Sequence, residues 1–321
     1  MFTRLFIRIL AIFCMMGFGM IARKLGIVDR NTSSQMSRVI TNFFYPSLIF
    51  TSLVSNYTLQ GLATNWVLPA GTMAIMATGY LVGRLFAGSV SFSSREEKNQ
   101  FIFQCATNNY SFLPLPIILM LWGEPGVAKL VFSTLGSEVS VWTLGIFALT
   151  GNRFRKENLK NLVSLPMLSI FAAVAVIAVK DYAGHTGMFT GNSQALNELG
   201  ISLFSVLDIF GKAAIPVAMF VAGSRMADLK SHHLLTFKQA QMVALRLLAI
   251  PLLALALLLI LPFSADIRLV LMVVATMPSA VSSVVLSEVY GSDTEFAASS
   301  VLTTHLFSLL TIPMWLSFFL R

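Results

Sequence analysis

Asn108-Asn109-Tyr110-Ser111-Phe112-Leu113-Pro114-Leu115-Pro116 stands in the middle of a long apolar stretch. Two prolines there remove two backbone donors and clash with the preceding turn, so a helix through this stretch is expected to break. A second stretch, Met277-Pro278-Ser279-Ala280-Val281-Ser282-Ser283, has the same character. Both belong to a 321-residue chain that is 56% hydrophobic and only 11% charged, where a soluble globular chain carries about 25% charge. With a mean hydropathy of +0.79, such a composition excludes a water-soluble enzyme, a nucleic-acid-binding module and a disordered protein. The chain is expected to dissolve in a lipid bilayer.

Working outward from these stretches, ten segments satisfy the roughly 20 apolar residues that a crossing needs. They are about 5–22, 35–55, 66–88, 100–121, 127–149, 161–179, 196–223, 239–261, 267–289 and 297–319. The first is read as a retained helix and not as a cleaved signal, because no small-residue cleavage site follows it and Arg23-Lys24 closes it. Loop cations set the orientation. With the N-terminus outside, fourteen Lys and Arg fall on the inner side, among them Arg23, Lys24, Arg30, Arg153, Arg155, Lys156, Arg225 and Lys230; six fall on the outer side. The expected product is a multi-pass protein of the plasma (inner) membrane with both termini on the non-cytoplasmic side. The same bias explains the net charge of +8 without a nucleic-acid partner. Arg246, in the first turns of the eighth segment, is expected to snorkel to the cytoplasmic interface. Cys14 and Cys105 lie apart in apolar segments and form no CxxC, so neither a metal site nor a cofactor is expected.

The two halves of the chain match. Pro46 and Pro216, in the second and seventh segments, are 170 residues apart; Trp122-Gly123 and Tyr290-Gly291, closing the fourth and ninth, are 168 apart. Five crossings per half is odd, so the second half enters from the opposite side and the repeat is inverted. Residues 1–155 and 156–321 form the two repeats. The fourth and ninth segments are expected to break near mid-membrane, with Tyr110 set against Pro278. Irregular backbone survives at that depth only where protein or a wet cavity satisfies it. Freed half-helix N-termini carry a positive dipole end that suits an anion. Pro46, Pro114 and Pro216 are read as helix breaks. Gly79-x-x-x-Gly83 and Gly17-Phe18-Gly19 are read as close helix-packing faces.

On these residues the sequence resembles the auxin efflux carrier family of membrane transporters. Asn109, Phe112 and Pro116 match a family pattern of the form Asn-x-Gly-Phe-x-Gly-x-Pro, with Ser111 and Pro114 in place of the glycines. Ala275-Thr276-Met277-Pro278 with Ser282 is similar to the family's second crossover. The resemblance implies an all-α membrane protein of ten transmembrane helices in two inverted five-helix repeats, with broken, crossed helices 4 and 9. It implies a scaffold of helices 1, 2, 6 and 7, and a mobile core of helices 3–5 and 8–10. Family members carry small organic anions such as dicarboxylates or the auxin carboxylate, and a homodimer through the scaffold is the implied assembly.

Asn109 is the foremost candidate for the anion, because a neutral amide offers two donors without a buried charge. Asn108 is its neighbour, and one of the two is expected to cap a half-helix. Pro116 and Pro278 shape the site. Ser279, Ser282 and Ser283 either donate to the guest or satisfy local backbone; the sequence leaves both open. Glu138 is an ionisable residue in mid-span and, by the repeat offset, a near-mate of His305. The pair is read either as proton-sharing or as a structural hydrogen bond. Asp208 and Lys212, one turn apart, either neutralise each other or place Lys212 before the core to attract an anion. The expected function is a secondary carrier for a small carboxylate or dicarboxylate by elevator-like alternating access. A ligand sensor and a sodium-coupled carrier similar to bile-acid symporters are the alternatives. No GxxxxGK[ST] occurs, nor a GxSG or GxGD protease motif, so no enzymatic role is expected.

Overall fold

The computed structural model describes residues 1–151, 160, 162–186, 194–229 and 236–320. The loop cations Arg153, Arg155, Lys156 and Lys230, and the expected boundary at 155/156, lie outside the described residues. Among the described residues every regular element is a helix. In chain order they are α1 (Phe2–Lys24), α2 (Arg30–Val39), α3 (Tyr45–Asn56), α4 (Leu59–Thr64), α5 (Val67–Phe86), α6 (Arg95–Ala106), α7 (Pro114–Ser140), α8 (Ile146–Leu149), α9 (Leu165–Thr186), α10 (Gln194–Ala227), α11 (Phe237–Ala244), α12 (Ile250–Ile260), α13 (Ala265–Thr276), α14 (Ser283–Tyr290) and α15 (Thr294–Phe319).

Among the described residues, seven helical stretches are long and apolar enough to cross a membrane. Of the pieces of the interrupted segments, α7 belongs to one of these stretches, while α6, α13 and α14 are too short. α6 and α13 have 12 residues each, about 18 Å at 1.5 Å per residue, well short of the roughly 30 Å of hydrocarbon. Many of the large side chains left outside are apolar, including Ile7, Phe18, Leu81, Leu85, Ile209 and Ile260. A surface of this kind is stable against lipid and not against water.

Proline acts differently at different places. Pro114 and Pro116 open α7 directly after a non-helical stretch over 107–113. Pro46 and Pro216 do not break their helices, contrary to the sequence reading. The chain reaches Pro46 through a π-helical turn, Ile40–Phe44, and continues straight into α3. α10 runs through Pro216 without interruption. A single proline removes one helical bond, and neighbouring groups can take up the freed carbonyl. Pro251 shows how: the Leu247 carbonyl, four residues earlier, accepts the Trp315 indole N–H at 2.8 Å. The ends of the interrupted segments fall where the sequence places them. Gly123 (φ 64°) kinks α7 ahead of Pro125, and Gly291 (φ 63°) caps α14 in the left-handed region that favours glycine.

Several seams are closed by backbone alone. A Cβ on Gly19 of α1 would stand 1.8 Å from the Phe220 carbonyl oxygen, and one on Gly223 of α10 would stand 1.8 Å from that of Met16. Gly79 of α5 lies as close to α6, where a Cβ would come 2.4 Å from the Cys105 oxygen; Gly136 of α7 would put one 1.9 Å from the Pro69 oxygen on α5. Gly17, in contrast, has open space where its Cβ would be, so only Gly19 of that stretch makes the close approach. Gly19→Ala and Gly223→Ala are expected to cost about 1–3 kcal/mol each through overpacking, with Gly17→Ala near neutral. Unfolding in detergent, compared across the three variants, checks this; equal stability of all three contradicts it.

Candidate functional site

The broken segments meet. Asn108 and Ser279 form an isolated antiparallel bridge, and the Asn109 N–H donates to the Pro278 carbonyl at 2.8 Å. The contact is thus one residue from the Tyr110–Pro278 register read from the sequence. Backbone groups freed by one break are taken up by the other, as an apolar surrounding demands. The Asn108 amide donates to the Val274 carbonyl in the last turn of α13 at 2.5 Å. Of the two asparagines, Asn108 is the one that caps. The Ser279 N–H donates to the Thr304 hydroxyl of α15 at 3.2 Å.

The C-terminal ends of α6 and α13 converge on one side chain. Arg246, fully buried in a π-helical turn between α11 and α12, donates to three carbonyls. These are Cys105 at 3.1 Å, Ala275 at 2.8 Å and Met277 at 3.1 Å. The expectation that Arg246 snorkels to the interface is therefore wrong. Two helix C-termini, each a negative dipole end with orphan carbonyls, hold the guanidinium in place of water. A guanidinium suits this seat because its donors fan out in a fixed plane. α6 is also fastened to α14 by two buried side-chain bonds a turn apart. Gln104 donates to the Ser283 hydroxyl at 3.0 Å, and Ser287 donates to Gln100 at 2.9 Å.

On the other side of the crossing lies a cavity of about 150 Å³. One wall is made by Asn109–Phe112, leading into α7, and Ala280–Ser282, leading into α14. The opposite wall comes from α2, the π-helical turn after it, and α10, including Ser37, Thr41 and Arg225. Arg225 and Val281 also line a larger vestibule of about 680 Å³, so the two spaces adjoin there. The volume of the inner cavity is that of about five water molecules in the liquid, or of a small organic acid.

Each sequence-derived candidate has a place. The side-chain amide of Asn109 lines the cavity and has no hydrogen-bond partner among the described residues. Ser282 lines the cavity and is exposed. Ser283 is committed to Gln104, and the hydroxyl of Ser279 is buried without a partner among the described residues. Pro116 is buried in the first turn of α7, and Pro278 supplies the carbonyl that takes Asn109. The proposed Glu138–His305 pair is not formed. Glu138 accepts from the Tyr110 hydroxyl at 3.0 Å and from the Trp142 indole at 3.2 Å, which occupies both carboxylate oxygens. His305 turns Nδ1 to the Val301 carbonyl of its own helix at 2.8 Å, and its Nε2 is buried without a partner among the described residues. The repeat offset missed His305 by one residue, and one residue is roughly 100° around a helix. Lys212 does pair with Asp208, at 2.5 Å, but its side chain is 62% exposed and lines neither cavity. It does not face the candidate site.

Sequence reasoning missed the places that three residues take in this region. Arg246 was dismissed as interfacial because its partners are carbonyls, which leave no mark in the sequence. Arg225 was counted only as a loop cation. Tyr110, held by Glu138 while lining the cavity, stood in the decisive stretch but was given no role. The signal for it was a carboxylate on the next crossing with no cation nearby.

Two interrupted helices meet inside an apolar, many-helix body and wall a largely apolar cavity that carries a few amide and hydroxyl groups, an arrangement that fits a membrane transporter. The chain matches the family model described as "Membrane transport protein" over residues 4–180 and 182–316, and it belongs to that family, the auxin efflux carriers. It is 26% identical to an uncharacterized transporter of Methanocaldococcus jannaschii over 304 residues, 92% of this chain and 93% of that one. A second uncharacterized transporter, from Methanothermobacter thermautotrophicus, is 26% identical over 313 residues, 96% of each chain.

Removing the guanidinium tests how much the crossing depends on it. Arg246→Met leaves three buried carbonyls without a donor, at about 1–3 kcal/mol each, so a loss of several kcal/mol is expected. Arg246→Lys, with a single point of donation, is expected to fall between. Thermal unfolding of the purified proteins in detergent reads this, and Arg246→Met as stable as wild type overturns it.

Proposed function

We propose that the protein is a secondary transporter of small carboxylate anions, working by elevator-like alternating access and catalysing no chemical change. The observation that carries this reading is the unengaged amide of Asn109 in a cavity between two groups of helices. Its donors, with the hydroxyls of Ser111 and Ser282, suit a carboxylate, and the N-terminal ends of α7 and α14 lie just beyond them. The prolines that start α7 leave few free N–H groups there, so the side chains carry more of the recognition than the backbone does.

The ten crossings of this reading are α1; α2 with α3; α4 with α5; α6 with the first part of α7; the rest of α7 with α8; α9; α10; α11 with α12; α13 with α14; and α15. Crossings 4 and 9 support an inverted repeat: both are interrupted, both end at a positive-φ glycine, and their interruptions bridge each other. Crossings 1, 2, 6 and 7 form the scaffold and the others the moving core. The backbone-close glycines support that division. Gly19, Gly223 and Gly211 join α1, α10 and α3, while Gly79 and Gly136 join α5, α6 and α7. None among the described residues joins one group to the other. The cavity lies on the boundary between them. With both termini outside, the vestibule beside Arg225 opens to the cytoplasm.

Uptake into proteoliposomes of radiolabelled malonate and of monocarboxylates tests the reading. Asn109→Ala is expected to cut uptake by about tenfold or more, the worth of one hydrogen bond to a charged group, with thermal stability unchanged. Uptake by Asn109→Ala at the wild-type rate, or no uptake of any carboxylate by wild type, sinks it.

A further inference from the structure

We infer that Arg225 is a specificity-determining residue: it reads a second negative charge on the transported anion, so that doubly charged acids are preferred over singly charged ones of the same size. The inference rests on the carboxylate reading and adds to it a residue and a selection rule.

Among the described residues, Arg225 is the one cation that lines the inner cavity. It sits half-buried, one turn beyond the Val221–Ala222 wall, where the cavity meets the vestibule. Its guanidinium makes no hydrogen bond or ion pair among the described residues. The other charges around the vestibule are engaged or well hydrated. Arg23 holds Asp228 at 2.5 Å, and Arg30 meets Glu288 at 3.4 Å. Glu295 is exposed in the first turn of α15, where the helix dipole favours a carboxylate. The charges at this mouth sum to zero, with Arg23, Arg30 and Arg225 against Asp228, Glu288 and Glu295. Asp228 and Glu288 act on Arg225 from a distance, but both carboxylates are paired with other arginines, and the Arg225 guanidinium lines the cavity without a direct partner among the described residues.

An unpaired, partly desolvated guanidinium is costly, and a planar carboxylate that accepts two of its N–H groups is the partner that relieves it best. The rest of the cavity wall is neutral: Asn109, Ser111, Ser282 and the small apolar residues of α10. A monocarboxylate held by the amide and hydroxyls leaves Arg225 without a direct hydrogen-bonded partner. A short dianion engages the neutral donors with one carboxylate and Arg225 with the other, and a cavity of about 150 Å³ limits how far apart the two can be.

Malonate and propionate have the same carbon count and differ by one charge at neutral pH. Their affinities for the purified protein, by isothermal titration at pH 7, are to be measured on wild type, Arg225→Gln and Arg225→Lys. Wild type is expected to bind malonate about tenfold more tightly than propionate, one charge-assisted hydrogen bond's worth. Arg225→Gln should bring malonate down to the propionate level while propionate changes by less than about twofold. Arg225→Lys, which keeps the charge but loses the fork, should retain part of the preference. Equal affinity of wild type for the two acids overturns the inference and leaves the carboxylate reading standing, as does an equal loss for both acids in Arg225→Gln. Binding of neither acid by wild type overturns both. The wild-type comparison and Arg225→Lys keep the test decisive even where Arg225→Gln fails to fold.

Discussion

A helix broken inside a bilayer must find partners for the backbone it exposes, and here that demand is met largely by one guanidinium. Arg246 gathers carbonyls from the ends of α6 and α13, so two negative dipole ends that would otherwise face hydrocarbon share one buried cation. The Asn108–Ser279 bridge and the Asn108 amide take up most of what remains. With the C-terminal ends settled there, the residues leading into the opposite, N-terminal ends of α7 and α14 are free to wall a cavity. Charge is thereby separated across the crossing. A fixed cation lies on one side, and on the other the neutral groups of Asn109, Ser111 and Ser282, with Arg225 at the mouth, line the cavity.

Much of the fold was legible because it depends on patterns that survive in one dimension. Apolar length marked most crossings. Paired prolines beside asparagine and serine marked the interruptions, and Trp122-Gly123 and Tyr290-Gly291 marked where the interrupted segments end. Gly19, Gly79 and Gly83 were readable as packing positions because nothing else explains glycine in mid-helix there. Pro46 and Pro216 misled, since a lone proline leaves the outcome to its surroundings: a wider turn absorbs one and an uninterrupted α10 the other.

The site was less legible than the fold. Asn109 stands out in the sequence as a neutral amide beside a break, and the fold sets it on the cavity wall. Glu138 and His305 were paired from an offset that was one residue out, and helical rotation turns that error into different neighbours. Arg246 escaped because its partners are main-chain oxygens, and Arg225 because a cation near a helix end resembles any other topology signal. In both cases the sequence shows a charge, and only the fold shows what that charge faces.

The contact between α1 and α10 has a mechanical meaning. Where Gly19 and Gly223 meet, no side chain stands between the two main chains, and each already touches a carbonyl of the other. Surfaces padded by leucine and methionine can slide, because side chains change rotamer as they pass; bare peptide against bare peptide has no such lubricant. That joint is a weld and not a bearing. Whatever travels during a transport cycle, α1 and α10 travel or stay together, and any shear has to take place along a seam lined with side chains.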